Sequence, residues 1–363
     1  NVLAGSSLNI GIEIQHAYNV LCTGNLLSNI GVASVGATIA KAVLATQCSG
    51  LVVSHNSISV VGSTSASLTG GVIHVGGNGQ TAQQSSIVVA SNTMQYLRCA
   101  SGLRGIYIED NAKYVSINGN TIDDASAELS TGIFVGPEIN ADSVDLGMFS
   151  ISSNIIEGCS TGIFVVMDDP AVSLKEGAVS ITGNTLSNFR STGVYVEGYD
   201  GDETVMVGVT VSGNTIRTII NESFSVGVRA SSCSLVVVSG NNIYMGAGAS
   251  SDVSGIALSS VAGAAISGNI VIVLSGQGNL RGIDLNIISA NVTDSTVASN
   301  YVEVAGDTTA TVVGIDGGAT SNFLAANFSR TPSGGSEIPI TGGRTLIAGV
   351  VAGADVNSTN YEI

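Results

Sequence analysis

The chain contains no tryptophan, only four prolines, and eleven lysines plus arginines among 363 residues; 10% of its residues are charged. Each shortage excludes something. A nucleic-acid binder needs a cationic surface to displace counterions, and eleven basic residues against a net charge of −16 make nucleic acid a poor partner. An anionic membrane surface is a poor partner for the same reason. No apolar run reaches the roughly 18 residues needed to span a bilayer, because Ser, Asn, Gly or Thr interrupts every candidate, so membrane insertion is not expected. Five cysteines (Cys22, Cys48, Cys99, Cys159, Cys233) are scattered without a CxxC pair, against both a disulfide framework and a zinc site; they read as small buried hydrophobes. The missing tryptophan also weakens any carbohydrate groove, although tyrosine stacks on sugars too.

What is abundant is glycine, 47 residues of it, within a composition that is 44% hydrophobic and has a mean hydropathy of +0.43. That excludes disorder and points to a large core fed by short strands. A short unit recurs along the chain: one or two small residues, Asn, a variable residue and usually an aliphatic. Its asparagines are Asn25, Asn56, Asn92, Asn120, Asn154, Asn184, Asn214, Asn241, Asn269, Asn300 and Asn327, spaced by 27 to 36 residues. A second unit, Gly followed by Ile or Val, interleaves with it at Gly11, Gly71, Gly105, Gly132, Gly162, Gly193, Gly227, Gly255, Gly282 and Gly314. Between them lie alternating stretches such as VSIT and VTVS, which read as strands of four or five residues. Helical repeats would need apolar residues at i, i+3, i+4 and i+7, and leucine-rich repeats would need leucines; neither pattern is present.

The stacked xxNx[IVL] and GI[YF]V units resemble the parallel β-helices of the pectate-lyase-like superfold, which includes pectinases, alginate epimerases and phage tailspikes, and most of all a tailspike or depolymerase domain. The resemblance runs from about Gly11 to Asn327 and is specific for fold rather than function. It implies an all-β, right-handed, single-stranded parallel β-helix of about ten or eleven coils. The asparagine column is expected to sit at sharp corners in the left-handed region and to stack as an amide ladder rather than to bind ligand. Residues 1–327 are expected to form the β-helix. Residues 328–363, with TPSGGSEIPITGG and an apolar tail, read as a linker and cap or as the start of an oligomerisation segment. The chain opens on Asn-Val-Leu, already in repeat-like sequence and without a visible signal peptide, which reads as a processed or trimmed chain.

Alternation assigns faces. Two residues after each Gly of the second unit stand Glu13, Ile73, Tyr107, Phe134, Phe164, Tyr195, Arg229, Ala257, Asp284 and Asp316. Charges at both ends imply that this column faces outward and that its aliphatic neighbours face in. Tyr107, Phe134, Phe164 and Tyr195 then form an outer aromatic stripe, in a chain with nine Tyr and seven Phe. Sugar platform, subunit interface, or a floor covered by the chain's own loops are the three readings of such a stripe. From Gly to the next Asn, short coils take 14 or 15 residues, whereas those from Gly132, Gly162 and Gly193 take 22, 22 and 21. The extra residues form a wall beside the stripe and carry many acids.

Glycoside hydrolysis needs two carboxylates about 5 Å apart or 6.5–9.5 Å apart. Asp168 or Asp169 with Glu197 is the preferred pair, with Tyr107, Glu109, Asp110, Phe134, Phe164, Tyr195, Asp200 and Arg229 as the binding surface. Ordinary surface turns explain the same acids, MDDP at Asp168 included. No calcium-loop pattern occurs, so no metal and no cofactor are implied. The Asp-Pro-His-Glu signature of alginate epimerases and the basic constellation of pectate lyases are not evident. His74 either lines a surface or is a solvated turn residue, the commoner case. The reading is therefore a tailspike-like, trimeric protein of the virion surface or extracellular space that binds a bacterial surface polysaccharide, with hydrolysis of that polysaccharide as the activity to test. A non-enzymatic structural or adhesive solenoid and a secreted polysaccharide lyase or epimerase are the alternatives.

Overall fold

In the computed structural model the described residues are 2–4, 10–30, 40–61, 70–76, 84–97, 102–109, 112–124, 129–136, 147–166, 176–198, 206–220, 224–247, 252–275, 278–285, 292–306, 311–316, 322–325, 327–330, 336–341, 344–347 and 351–352. Among them there is no helix. The chain is an all-β parallel solenoid whose successive strands join three sheets in rotation. Sheet 1 carries the Gly-Ile/Val strands, sheet 2 the strands that lead into the asparagines, and sheet 3 the strands that follow them. By contacts the chain forms two units, residues 1–189 with 201–205, and residues 190–200 with 206–363.

In the first unit the core is built from aliphatic columns. Ile106, Ile133 and Ile163 pair in register on sheet 1, Ile117, Ile151 and Ile181 on sheet 2, and Met94, Ile122, Ile156 and Leu186 on sheet 3. All ten are essentially without solvent contact. The second unit repeats the design with Val228, Ile256, Ile283 and Ile315 on sheet 1 and Ile216, Ile243, Val271 and Val302 on sheet 3. β-branched side chains fit this stacking, and each one buried is worth about 1.5–3 kcal/mol. Beyond Asn327, Phe328–Arg330, Ser336–Thr341, Arg344–Ile347 and Val351–Ala352 pair in parallel with preceding strands of the second unit.

The asparagine ladder is present in both units. Asn92 donates its backbone N–H and its side-chain Nδ2–H to Asn120 Oδ1, both at 3.0 Å, and Nδ2 also donates to the Val53 carbonyl at 2.9 Å. Its own Oδ1 accepts from Asn56 N and Nδ2 at 3.1 and 2.8 Å. The amide is buried and fully satisfied. The left-handed residue, however, is not the asparagine but the one before it: Gly24, His55, Ser91, Gly119, Ser153 and Gly183, with φ between +54° and +66°. The exposed turn residue absorbs the strained corner, and the asparagine after it is directed inward, where its amide can stack.

The glycines of sheet 1 are required by close approach. A Cβ on Gly132 would lie 2.5 Å from Ile156 Cγ2 and 2.7 Å from the Gly162 carbonyl oxygen, so the sheet 1 strand can begin against sheet 3 only without a side chain. Cys22, Cys48, Cys159 and Cys233 are free and buried, as their scatter implied; Cys99 lies outside the described residues.

One register differs from the sequence reading. Gly71 pairs with Arg104, Ile73 with Ile106, and His74 with Tyr107. Ile73 is therefore a core residue with no exposure, and His74 takes its place in the outward column. The Gly70–Gly71 pair allows two alignments one residue apart, and such a slip exchanges the two faces. The strand Lys41–Thr46, which has no glycine signal, also joins sheet 1 and adds Leu44 to the column between Glu13 and His74.

Candidate functional site on the outer face of sheet 1

In the first unit the outward column runs Glu13, Leu44, His74, Tyr107, Phe134, Phe164, each in register with the next. Its rings touch. The centroids of His74 and Tyr107 are 4.6 Å apart, and Tyr107 with Phe134 and Phe134 with Phe164 meet edge-to-face at 5.2 Å. That spacing is about the interstrand distance, so the sheet itself sets the stack. Phe134 and Phe164 are half-buried, whereas Tyr107 keeps only 8% exposure. The aromatic stripe is thus a surface whose His74 end is largely covered.

Two residues complete this face, Arg104, which the sequence reading left out, and His74, which it took more readily as a solvated turn residue. Arg104 lies over the rings of Tyr107 and Phe134, 4.2 and 4.1 Å from their centroids. His74, far from solvated, is 4% exposed and hydrogen-bonds through Nε2 to the Glu109 carboxyl, itself buried. Gly76 makes room for this pair: its φ is +119°, and a Cβ there would lie 2.4 Å from the Glu109 carbonyl oxygen. Burial holds the His74 imidazole below its usual range, against its hydrogen bond to the Glu109 carboxylate, and the nearby Lys41 and Arg104 charges add to the lowering. Lys41 is likewise held down by burial, with Glu109 and Glu13 acting the other way.

A signal for Arg104 does exist. Arg104-Gly-Ile-Tyr107 and Arg281-Gly-Ile-Asp284 share one pattern, and in both the residue before the glycine reaches back over the residue two after it. Arg281 meets the Asp284 carboxylate at 3.2 Å. The glycine breaks strict alternation, so Arg and the residue three later share the outer side.

In the second unit the outward column of sheet 1 runs Tyr195, Arg229, Ala257, Asp284, Asp316 and Thr341. Arg229 stacks on Tyr195 at 4.6 Å, and the Tyr195 hydroxyl is 3.2 Å from Ser231 Oγ. Burial pushes the Tyr195 phenol up, opposed by Ser231 and the Arg229 charge. Glu197 follows Tyr195 on the same face, half-buried and paired in register with Ser231. Of the residues expected at the site, Tyr107, Glu109, Phe134 and Phe164 come together in one unit, and Tyr195, Glu197 and Arg229 in the other. Asp110, Asp168, Asp169 and Asp200 lie outside the described residues. No three His, Cys, Asp or Glu side chains gather as metal ligands among the described residues.

No family model and no curated protein matches the chain. Solved structures of the tailspike protein of E. coli bacteriophage HK620 are similar to it. A double mutant in complex with a pentasaccharide is 16% identical, with a TM-score of 0.49 over 91% of this chain and 59% of that one. A deletion mutant in complex with a hexasaccharide is 17% identical, with a TM-score of 0.48 over the same shares of the two chains. The tailspike protein in complex with a pentasaccharide is 17% identical at a TM-score of 0.47, again over 91% and 59%. The present chain spans about three-fifths of the length of those chains.

Proposed function

We propose that the outer face of sheet 1 binds a bacterial surface polysaccharide, and that the chain acts at a virion surface or in the extracellular space as part of a homotrimer. The observation that carries this reading is the ring column Tyr107–Phe134–Phe164, held at strand spacing on the outside of a parallel sheet. Aromatic rings on a rigid face offer apolar area at little entropic cost. Hydrolysis is the finer proposal, with carboxylates among Asp168, Asp169 and Glu197 as acid and as base or nucleophile.

The direct test is retention of the chain on immobilised capsular and O-antigen polysaccharides, followed by assay of new reducing ends. Phe134→Ser/Phe164→Ser is expected to lower retention at least tenfold at unchanged mass by light scattering. Asp168→Asn, Asp169→Asn and Glu197→Gln are expected to keep binding and to reduce release of reducing ends.

The part-exposed phenylalanines Phe134 and Phe164 also fit a second reading, a structural or adhesive solenoid in which this end of the column is a subunit contact. Under that reading Phe134→Ser/Phe164→Ser dissociates an oligomer and leaves any sugar binding intact.

A further inference from the structure

Three of the described arginines stand against the outward column of sheet 1, and among the described residues only one of them meets a carboxylate. Arg281 reaches the Asp284 carboxylate at 3.2 Å. Arg104 lies over Tyr107 and Phe134, and Arg229 lies over Tyr195. Among the described residues neither of these two guanidinium groups has a carboxylate within ion-pair reach, and Nε of Arg229 is shut off from water without a hydrogen-bond partner.

Stacking on a ring fixes the plane of a guanidinium and occupies its face, which leaves the edge, with its coplanar N–H donors, to find acceptors. That edge matches a carboxylate through two parallel hydrogen bonds. An arginine over a tyrosine recurs in both units, from the tyrosine's own strand in one and from the next strand in the other. Gly105-Ile-Tyr107-Ile-Glu109 and Gly193-Val-Tyr195-Val-Glu197 are one motif, Gly-aliphatic-Tyr-aliphatic-Glu, and each carries an arginine on its tyrosine ring. A structural role alone would be met by any cation or amide packed on the ring. A planar fork held in place on a ring, whose terminal N–H donors meet no carboxylate among the described residues, is what selective recognition of an anion needs.

We infer that the polysaccharide bound by this face is acidic, and that Arg104 in one unit and Arg229 in the other each hold a carboxylate of its sugar-acid residues beside Tyr107 and Tyr195. The inference rests on the proposed polysaccharide binding and narrows it to a substrate class.

The test uses an array of microbial polysaccharides, each immobilised in its native form and after chemical reduction of its carboxyl groups to alcohols. With the unaltered chain, the retained polymers are expected to be acidic, and reduction is expected to lower retention at least tenfold. Arg104→Gln and Arg229→Gln should each weaken binding to the native polymer, and the double variant should bind native and reduced forms alike. Arg104→Lys, which keeps the charge but not the fork, should fall between. Retained polymers that are neutral, or binding that survives carboxyl reduction, overturn the inference and leave polysaccharide binding standing. Retention of no polymer of either kind overturns both. The native-versus-reduced comparison needs no variant, so it holds whether or not the substituted chains fold.

Discussion

His74 and Glu109 are hydrogen-bonded between neighbouring strands of sheet 1, with side chains only 4% and 8% exposed, on the face of the sheet that points away from the core. Nδ1 of the same imidazole is buried without a partner among the described residues. An ionisable pair sealed on the outer side of a solenoid ties the fold to pH and anchors one end of the ring column.

The sign of that pH dependence follows from burial. The unfolded imidazole takes up its proton near 6.5, and the folded one, held down by burial, only at lower pH. Below the ordinary value the unfolded chain therefore binds more protons, and stability, complete above it, declines as pH falls towards the folded value. His74→Asn should flatten the acid limb of urea-unfolding free energy against pH, by at most about 1.4 kcal/mol per pH unit. An unchanged slope would show that His74 is not the group responsible.

The ladder can be cut in its middle. Asn154→Ala removes the oxygen that accepts from Asn120 N and Nδ2, and it strips a donor from the Ile117 carbonyl. Loss of several buried hydrogen bonds should cost about 2–4 kcal/mol in urea unfolding. The exposed turn residue before it tolerates more, and Ser153→Asn should change stability by less than about 0.5 kcal/mol, since asparagine also accepts the left-handed region.

Two glycines with positive φ separate backbone strain from crowding. Gly24 has open space where a Cβ would go, so Gly24→Ala should cost about 1–2 kcal/mol from conformation alone. Gly76→Ala adds a clash with the Glu109 backbone and should cost clearly more. Equal losses in thermal unfolding would argue against the crowded geometry that seats Glu109.

Burial pushes the thiols of Cys159 and Cys233 up to about 12. Native protein treated with iodoacetamide at pH 8 should leave both unmodified by peptide mapping, and denaturation should expose both to alkylation. Labelling of either in the native state would contradict its place in the core.

Much of this molecule can be read without coordinates. The parallel solenoid, the amide ladder and the outward column of Tyr107, Phe134 and Phe164 follow from short units that recur once per coil, because each coil must meet the same steric demands as its neighbours. Alternation of two then assigns faces within a strand. Local sequence is silent where two choices satisfy it equally. The turn before each asparagine, rather than the asparagine, takes the left-handed conformation because only that choice turns the amide inward. Gly70–Gly71 permits either Ile73 or His74 to point outward, and the packing of the neighbouring strands selects His74. The sealing of His74 on Glu109 and the reach of Arg104 across to Phe134 were decided by the tertiary structure alone. His74 and Glu109 lie 35 residues apart along the chain and Arg104 and Phe134 lie 30 apart, and only stacking of the coils in one register brings them within contact.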